Sequence, residues 1–260
     1  MKWSFAYDFV SIGATVSSIS SESSPDGLAE NCVVPSGTSL GMSWVTDPGD
    51  THAYCNLTFD DPVAANFVVI IGANYSDAAV VTLFLGPTII GEPRAHCSLV
   101  KCLPANVWAG SFTTVNEDLF TLDISDADAP AAGLETPLIL FGTRVDIANS
   151  SVGRPGRGYS HLDPSTRAAG QTGAVWTAKQ RRQFRQAFSV TGHNDTDGIA
   201  DLRAMWASVG RSALVVSMLD ADDLAGYGNT NVGIIENDLS EAIGLGMTTG
   251  FDVSVLEVVA

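Results

Sequence analysis

The chain has 260 residues, 45% of them hydrophobic, and carries 13 Lys and Arg against 29 Asp and Glu, a formal net charge of −16. A chain of this size and composition can bury one large core or two ordinary ones, so the sequence does not predict disorder. The negative charge repels polyanions, which argues against nucleic acid and anionic membrane surfaces as partners.

The first residues, MKWSFAYDFVSIGATVSS, contain one Lys, an Asp at position 8 and no continuous apolar run. This layout differs from that of a secretory signal. No segment approaches the ~18 uninterrupted apolar residues of a membrane-spanning helix. We therefore expect a protein that is neither exported through a signal peptide nor inserted into a membrane.

Strand signals dominate the chain. Short β-branched or aromatic runs recur between Gly, Pro, Asn and Asp: WSFAYDFV, NLTF, NFVVIIG, AVVTLFLG, SLVKCL, DLFTLDI, PLILFG, ALVVSML and FDVSVLEVV. Runs of this length and spacing are typical of a β-sandwich. One segment, residues 197–210, has helical periodicity, and its predicted apolar face is formed by Ile199, Leu202, Trp206 and Val209. The sequence predicts a mainly β protein with one amphipathic helix near 197–209.

The cysteines are too few for a disulfide-stapled scaffold. Cys97 and Cys102 are spaced more widely than the ligands of a usual zinc knuckle, and His96 is the only imidazole beside them. We therefore expect free thiols at the four cysteines, which are Cys32, Cys55, Cys97 and Cys102.

An acidic turn interrupts the strand pattern of LFTLDISDADAPAAGLETPLILFG, residues 119–142. Its carboxylates, Asp123, Asp126 and Asp128, are ligands that Ca²⁺ could use. Asp, Pro and Gly are also the residues with which a turn between strands satisfies its own backbone hydrogen bonds. The turn interpretation is favoured, and no metal is predicted here.

A second acidic turn, HNDTDG at 193–198, matches only the middle of a calcium loop. The positions of the first ligand and of the bidentate ligand are occupied by His193 and Ala204. Asp195 and Asp197 instead suit the start of the following helix, where carboxylates cap N–H groups and complement the helix dipole. Neither a metal nor another cofactor is predicted for this chain.

Residues 148–173 are rich in Gly, Ser, Pro and Arg and show no period. A stretch of this length without regular structure is typical of a linker or an extended arm. We therefore predict a β-sandwich domain over 1–147, a linker or arm over 148–173, and a smaller β-rich domain over 174–260 that contains the helix.

Basic side chains concentrate near this linker, where residues 144–185 hold 8 basic against 2 acidic side chains. On a strand, Phe184 and Phe188 share one face, and Arg181 and Arg185 share the other. Two explanations stay open: a solvated edge strand protected by its charges, and a docking surface for an acidic partner such as another copy of this chain. The docking candidates are Arg154, Arg157, Arg181, Arg182 and Arg185.

Catalytic motifs are lacking. The four histidines are scattered, there is no GxSxG or HExxH frame, and GRPGRG at 153–158 lacks the Lys-Ser/Thr of a phosphate loop. No pair of carboxylates can be singled out for acid and base roles, which makes a glycan hydrolase the least favoured reading. We predict that the chain is not an enzyme.

Two motifs carry a family resemblance. NLTFDDPVAANFVVIIGANYSDAAVVTLFLG, residues 56–86, contains Gly72-Ala73-Asn74 between two apolar strands, and a later strand ends in Leu140-Phe141-Gly142. The order of elements resembles that of tail-tip or baseplate-type structural proteins of tailed bacteriophages, in which a jelly-roll, discoidin-like (galactose-binding-like) β-sandwich precedes a smaller module. In that signature an imidazole is frequent where this chain has Ala73.

The resemblance implies a non-enzymatic virion component, a tail-tip or baseplate assembly or adaptor protein that is assembled in the host cytoplasm and resides in the viral tail. Its implied partners are other tail proteins and copies of itself in a symmetric assembly. The alternative is a carbohydrate-binding module that recognises host surface glycan in host attachment, because exposed aromatic side chains suit the faces of sugars. The contact candidates for that alternative are Trp44, His52 and Tyr54.

Overall fold

The computed structural model describes residues 3–18, 28–33, 43–87, 94–103, 107–147, 151–152, 158–162, 166–169, 175–178, 183–193, 199–210, 213–220, 222–236, 241–243 and 248–257. The chain divides into two compact units, described separately below. The N-terminal unit comprises Ala6–Val145 and Asp223–Tyr227, and the C-terminal unit comprises Met1–Phe5, Asp146–Asp222 and Gly228–Val259. The predicted boundaries at 147 and 174 stay a prediction.

The described residues form strands throughout both units. The strands are β1 (Trp3–Ala6), β2 (Thr15–Ser18), β3 (Trp44–Val45), β4 (His52–Ile71), β5 (Val80–Leu85), β6 (His96–Cys102), β7 (Val107–Ser125), β8 (Glu135–Thr136), β9 (Leu138–Gly142), β10 (Val145–Ile147), β11 (Ser151–Val152), β12 (Gly158–Leu162), β13 (Thr166–Ala169), β14 (Val175–Ala178), β15 (Gln183–His193), β16 (Val215–Met218), β17 (Thr230–Ile235), β18 (Glu241–Ile243) and β19 (Thr248–Glu257). The helices are α1 (Ile199–Val209) and two 3-10 turns, Val10–Gly13 and Ala29–Val33.

The N-terminal unit is built on the antiparallel pair of long strands β4 and β7. The first part of β4 pairs with β2, and its last part pairs with β9. β7 likewise pairs with β6 through its first residues and with β5 through its last. The register of the pair shifts between Thr58 and Val63, beside the exposed Pro62. Bulges bend strands and accommodate a proline, which has no N–H for the ladder.

The two parts of this bent pair form the layers of a β-sandwich. Side chains from the first part of β4 and from β5, such as Leu57 and Leu83, belong to the same buried cluster as Ile70 from the last part of β4 and Phe141 from β9. Each fully buried side chain of this kind stabilises the fold by about 1.5–3 kcal/mol relative to exposure. The predicted mainly β fold with a sandwich over the N-terminal part of the chain is confirmed.

Asn74 of the Gly-Ala-Asn motif, which follows β4, connects to the residues at the start of β8. Asn74 donates its Nδ2 to the Gly133 carbonyl at 3.0 Å, and its Oδ1 accepts the Glu135 N–H at 2.8 Å. Gly133 has φ +100°, and a Cβ there would lie 2.4 Å from the backbone oxygen of Thr46. Only glycine fits such a site, because both the conformation and the close approach exclude a side chain.

The C-terminal unit contains a sheet with strand order β10-β1-β16-β17-β19-β15-β11, to which β12 adds by pairing with β15 and β18 by pairing with β19. The predicted helix is confirmed as α1, and Leu202, Met205 and Val209 are its buried side chains. Trp206 is half-buried, so Met205 takes the place that the sequence analysis gave to Trp206. No helix in the described part of the chain is long and apolar enough to cross a membrane.

Two features of this unit differ from the sequence analysis. Inside the segment 148–173, β11 and β12 pair with β15, and β13 pairs with β14, although the composition predicts no regular structure there. β15 pairs with β19 on one side and with β11 and β12 on the other, so the described part of the Arg-rich segment is not an edge strand. Charges that protect an edge therefore do not explain Arg185.

Candidate functional site

One surface of the N-terminal sandwich is lined with polar and aromatic side chains that line up across neighbouring strands. Because side chains alternate along a strand, every second residue of β4, β7, β5 and β6 faces away from the core. We call this surface the outer face. The cross-strand partners define its rows, which are Asn56-Thr121-Phe84-His96, Tyr54-Asp123-Thr82-Ser98 and His52-Ser125-Val80.

The first row is organised by Arg94, which immediately precedes β6. Its Nη2 donates to Thr121 Oγ1 at 2.8 Å, and Thr121 Oγ1 donates to Asn56 Oδ1 at 2.7 Å. Its Nε donates to the Gly86 carbonyl at 2.9 Å, and its Cζ lies 5.1 Å from the centre of the Phe84 ring. This chain of contacts fixes the guanidinium over an aromatic face and leaves the Asn56 amide N–H₂ as a donor on the surface.

The second and third rows meet at an exposed pair. His52 Nε2 lies 2.8 Å from Asp123 Oδ1, and the two side chains are 53% and 34% exposed. The rings of His52 and Tyr54 are 5.6 Å apart and tilted by 37°. The contact with His52 involves only one oxygen of Asp123, so the carboxylate offers acceptor capacity at the surface beside an aromatic ring.

Chemically, the outer face combines a cation, a carboxylate, an amide and two aromatic rings within a small area. Neighbouring strands are ~4.8 Å apart and same-face residues ~6.8 Å apart, so four strands and three rows cover roughly 14 Å in each direction. Partial burial lowers the pKa of Arg94 from its ordinary value. The group nevertheless stays protonated, because an arginine does not lose its proton in proteins.

The three aromatic contact candidates separate in the structure. His52 and Tyr54 lie side by side on the outer face. Trp44 is 1% exposed, pairs through β3 with β8 and belongs to the buried core of the sandwich. An indole in that position packs against the core, so Trp44 is not part of the candidate site.

The five docking arginines are not brought together in the part of the chain that the structure describes. Arg154, Arg157, Arg181 and Arg182 lie outside the described residues. Arg185 is half-buried and pairs with Glu236 of the same unit, with Nη2 2.5 Å from Oε1. Its role in docking stays a prediction.

The first acidic turn is held together by one carboxylate. Asp126 is 0% exposed and accepts the Ser76 N–H at 2.7 Å, the Ser76 hydroxyl at 2.6 Å and the Asp128 N–H at 3.1 Å. Burial acts to raise the pKa of Asp126, but these hydrogen bonds and the charge of Lys101 outweigh it and hold the pKa below its ordinary value. The carboxylate therefore stabilises the turn itself, as the turn interpretation predicts.

The first acidic turn, which lies wholly within the described residues, presents no metal centre. In that part of the chain, no three His, Cys, Asp or Glu side chains are grouped closely enough to hold an ion. The second turn, with Asp195 and Asp197, lies outside it. None of the four cysteines forms a disulfide, all four are buried, and burial raises the pKa of Cys97 to about 11. That the chain binds no metal or cofactor stays a prediction.

Sequence reasoning did not single out Arg94, Asn56 or Thr121 as site residues. The two-residue period of a strand is the one signal that could have placed Asn56 on the same face as His52 and Tyr54. The pairing that brings Thr121 beside Asn56 joins residues 65 positions apart. No local pattern encodes a contact of that separation.

Comparisons with known proteins found structural similarity alone. No protein-family model and no curated protein matches the chain. It is similar to chitosan-binding module 1 of a chitosanase/glucanase from Paenibacillus sp. IK-5, with 10% identity, a TM-score of 0.43, and coverage of 53% of this chain and 100% of that chain. It is also similar to a fucolectin from striped bass (Morone saxatilis) serum, with 12% identity, a TM-score of 0.39, and coverage of 96% of this chain and 92% of that chain.

A further solved structure with the same kind of similarity is a Clostridium perfringens protein in complex with GalNAc-β-1,3-galactose, at 10% identity and a TM-score of 0.40, covering 51% of this chain and 97% of that chain. These identities and TM-scores are too low to carry an inference about the site or its ligand. The mainly β fold stands on the strands of the chain itself.

Proposed function

We propose that the N-terminal unit binds carbohydrate through the outer face. The observation that carries this proposal is the set of contacts that fixes the polar side chains of that face in place: Arg94 to Thr121 to Asn56 in one row, and His52 to Asp123 beside Tyr54 in the others. Side chains that are held by their neighbours lose little conformational entropy when they bind a ligand.

The chemistry of the face suits sugar hydroxyls, which donate and accept hydrogen bonds at once. The Asn56 N–H₂ supplies donors, the Asp123 carboxylate supplies acceptors, and His52 supplies either according to its tautomer. Tyr54 offers a ring with a polar tip, the kind of aromatic that packs against the apolar face of a pyranose. A patch of roughly 14 Å by 14 Å has the size of a short oligosaccharide.

This proposal keeps two of the three contact candidates, His52 and Tyr54, and replaces Trp44 by Asn56 and Asp123. The tail-component reading, with its tail partners, its copies of itself and its place in the virion, stays a prediction. Of its five candidate docking arginines, four lie outside the described residues, and the fifth, Arg185, is paired within its own unit. The absence of catalytic activity also stays a prediction.

The test is binding of the full chain to a panel of soluble polysaccharides by affinity electrophoresis, followed by calorimetry on oligosaccharides of any polymer that retards it. Asp123→Asn should raise the dissociation constant about tenfold or more, because a hydrogen bond to a charged group contributes about 1.5–3 kcal/mol. Tyr54→Ala should raise it about 2- to 10-fold, because it removes the ring that packs against the sugar, and such aromatic contacts contribute roughly 0.5–1.5 kcal/mol.

The matched control is Asp201→Asn, which removes the same charge from an exposed position in α1, in the C-terminal unit. It should leave the dissociation constant within about twofold, because an isolated surface charge contributes little. Retardation that is the same for the wild type, both outer-face variants and the control would show that sugar binds elsewhere. No retardation by any neutral or acidic polymer would refute the proposal.

A further inference from the structure

Arg94 uses only part of its hydrogen-bonding capacity. A guanidinium carries five N–H donors. Two of them are accounted for by the Gly86 carbonyl and the Thr121 hydroxyl. Arg94 itself is half-buried, and no hydrogen bond joins its Nη1 to another described residue. Within the described part of the chain, three donors of a fixed guanidinium therefore have no acceptor.

This arginine also lacks an acidic partner in the described part of the chain, although the sequence holds 29 acidic side chains. The described ion pairs join His52 to Asp123, Lys101 to Asp77 and Arg185 to Glu236. Glu117 lies close to Gly86, yet it is not within ion-pair distance of Arg94. With no carboxylate partner among the described residues, the guanidinium of Arg94 can pair with a carboxylate of a ligand.

The guanidinium of Arg94 is held in place by three contacts. The Phe84 ring lies beneath its Cζ, and Nε and Nη2 are each tied to an oxygen. A planar, immobilised fork matches the two oxygens of a carboxylate, and such charge-assisted pairs are among the strongest hydrogen bonds in proteins. In the same row, the Asn56 N–H₂ adds a neutral donor beside it.

We propose that the outer face selects glycans that carry a carboxylate, such as those containing uronic acids, and that Arg94 binds the carboxylate group. The net charge of −16 opposes the long-range approach of such a ligand, so the preference depends on the short-range contact with Arg94 and is expected where salt screens the distant charges. This inference rests on the proposed function and adds the class of sugar to it. Asp123, one row away, interacts with His52 and accepts hydroxyls of the sugar, while Arg94 and Asn56 provide donors for the acidic group. The acceptor, Asp123, and the cation, Arg94, thus lie in different rows of the outer face. This arrangement is complementary to a ligand that has hydroxyls at one place and a negative charge at another.

The experiment is carried out at about 0.15 M salt, where charges more than about 8 Å apart are largely screened. It compares the binding of the full chain to polygalacturonate, to the same polymer with its carboxylates methyl-esterified, to a neutral galactan and to a sulfated glycan. We expect the wild type to bind polygalacturonate about 10- to 100-fold more tightly than the methyl ester, the range of a charge-assisted hydrogen bond. Arg94→Met should remove this preference and leave the weaker binding of the ester in place.

Arg94→Lys keeps the charge and loses the planar fork, so it should retain only part of the preference. The control is Arg144→Met, because Arg144 donates to Ser111 in the other layer of the sandwich and contributes no side chain to the outer face. It removes the same charge and should retain the preference. Melting temperatures of the variants identify any loss of fold, and the Arg94→Lys result decides the matter if Arg94→Met does not fold.

The outcomes separate the two proposals. Equal binding of polygalacturonate, its ester and the galactan by the wild type would overturn the inference and leave carbohydrate binding standing. A preference that persists in Arg94→Met, or an equal affinity for the sulfated glycan, would overturn the assignment of a carboxylate to Arg94. Binding of none of the four polymers would overturn the inference together with the carbohydrate proposal on which it rests.

Discussion

The replacement of Asp126 by Asn tests how the acidic turn is stabilised. The buried carboxylate accepts three hydrogen bonds: two from Ser76, one through its N–H and one through its hydroxyl, and one from the Asp128 N–H. An asparagine keeps one side-chain oxygen. Its N–H₂ group then faces the Ser76 N–H, which donates to Oδ2 in the wild type. The lost acceptor leaves a buried N–H unsatisfied, so we expect a loss of about 2–3 kcal/mol in the free energy of unfolding at pH 7.

The pH dependence of this loss gives a second, independent check. The pKa of Asp126 in the folded protein is lower than its ordinary value of 3.8, which we take for the unfolded chain. Ionisation of Asp126 therefore stabilises the fold fully at pH values above the pKa of the unfolded chain. This contribution is lost as the pH falls through the folded-state pKa. The difference between the wild type and Asp126→Asn should therefore be full at neutral pH and should shrink below about pH 4.

The assay is urea denaturation followed by tryptophan fluorescence at a series of pH values, with Asp128→Asn as the control. Asp128 has an exposed side chain. Its replacement should change the free energy of unfolding by less than about 0.5 kcal/mol. If Asp126→Asn costs no more than this control at pH 7, the carboxylate does not stabilise the turn and the reasoning is refuted.

Two further predictions concern ions and thiols. Addition of millimolar Ca²⁺ should leave the melting temperature unchanged, because the Asp126 oxygens already accept protein donors, whereas a specific site at 100 times its dissociation constant adds about 2.7 kcal/mol; a rise of several degrees that Asp126→Asn abolishes would contradict this. The four cysteines should react with a thiol reagent only after denaturation, since all are buried and burial raises the pKa of Cys97 to about 11. Rapid labelling of the native chain at pH 7 would show that a thiol is accessible.

Local sequence patterns were sufficient to predict those strands and the helix whose signals lie within a few neighbouring residues. Short β-branched or aromatic runs predicted strands such as β5. The 3.6-residue period predicted α1 within two residues of its observed start. In the sequence, DDPVAA separates the two strand runs NLTF and NFVVIIG. In the structure β4 continues through it, because a bulge and a bend accommodate Pro62 while the ladder resumes beyond it.

The candidate site depended on the tertiary structure almost entirely. Alternation alone could place His52, Tyr54 and Asn56 on one side of their strand, since the period of a strand is fixed by backbone geometry. It could not show that Asp123 and Thr121 would lie beside them, or that Arg94 would reach across Phe84 to join that row. Trp44 illustrates the same limit, because an aromatic side chain suits both a core and a binding surface.

The sequence by itself therefore determined the kind of element for the runs with a clear strand or helix signal, and the side of the strand on which their residues lie. The tertiary structure decided which strands are neighbours, and with that which polar side chains share a surface. The physical reason is the range of the interactions: propensity and periodicity act over a few residues, whereas strand pairing is set by the burial of apolar side chains from the whole unit. The contact of Thr121 with Asn56, across 65 positions, exists only once that core has formed.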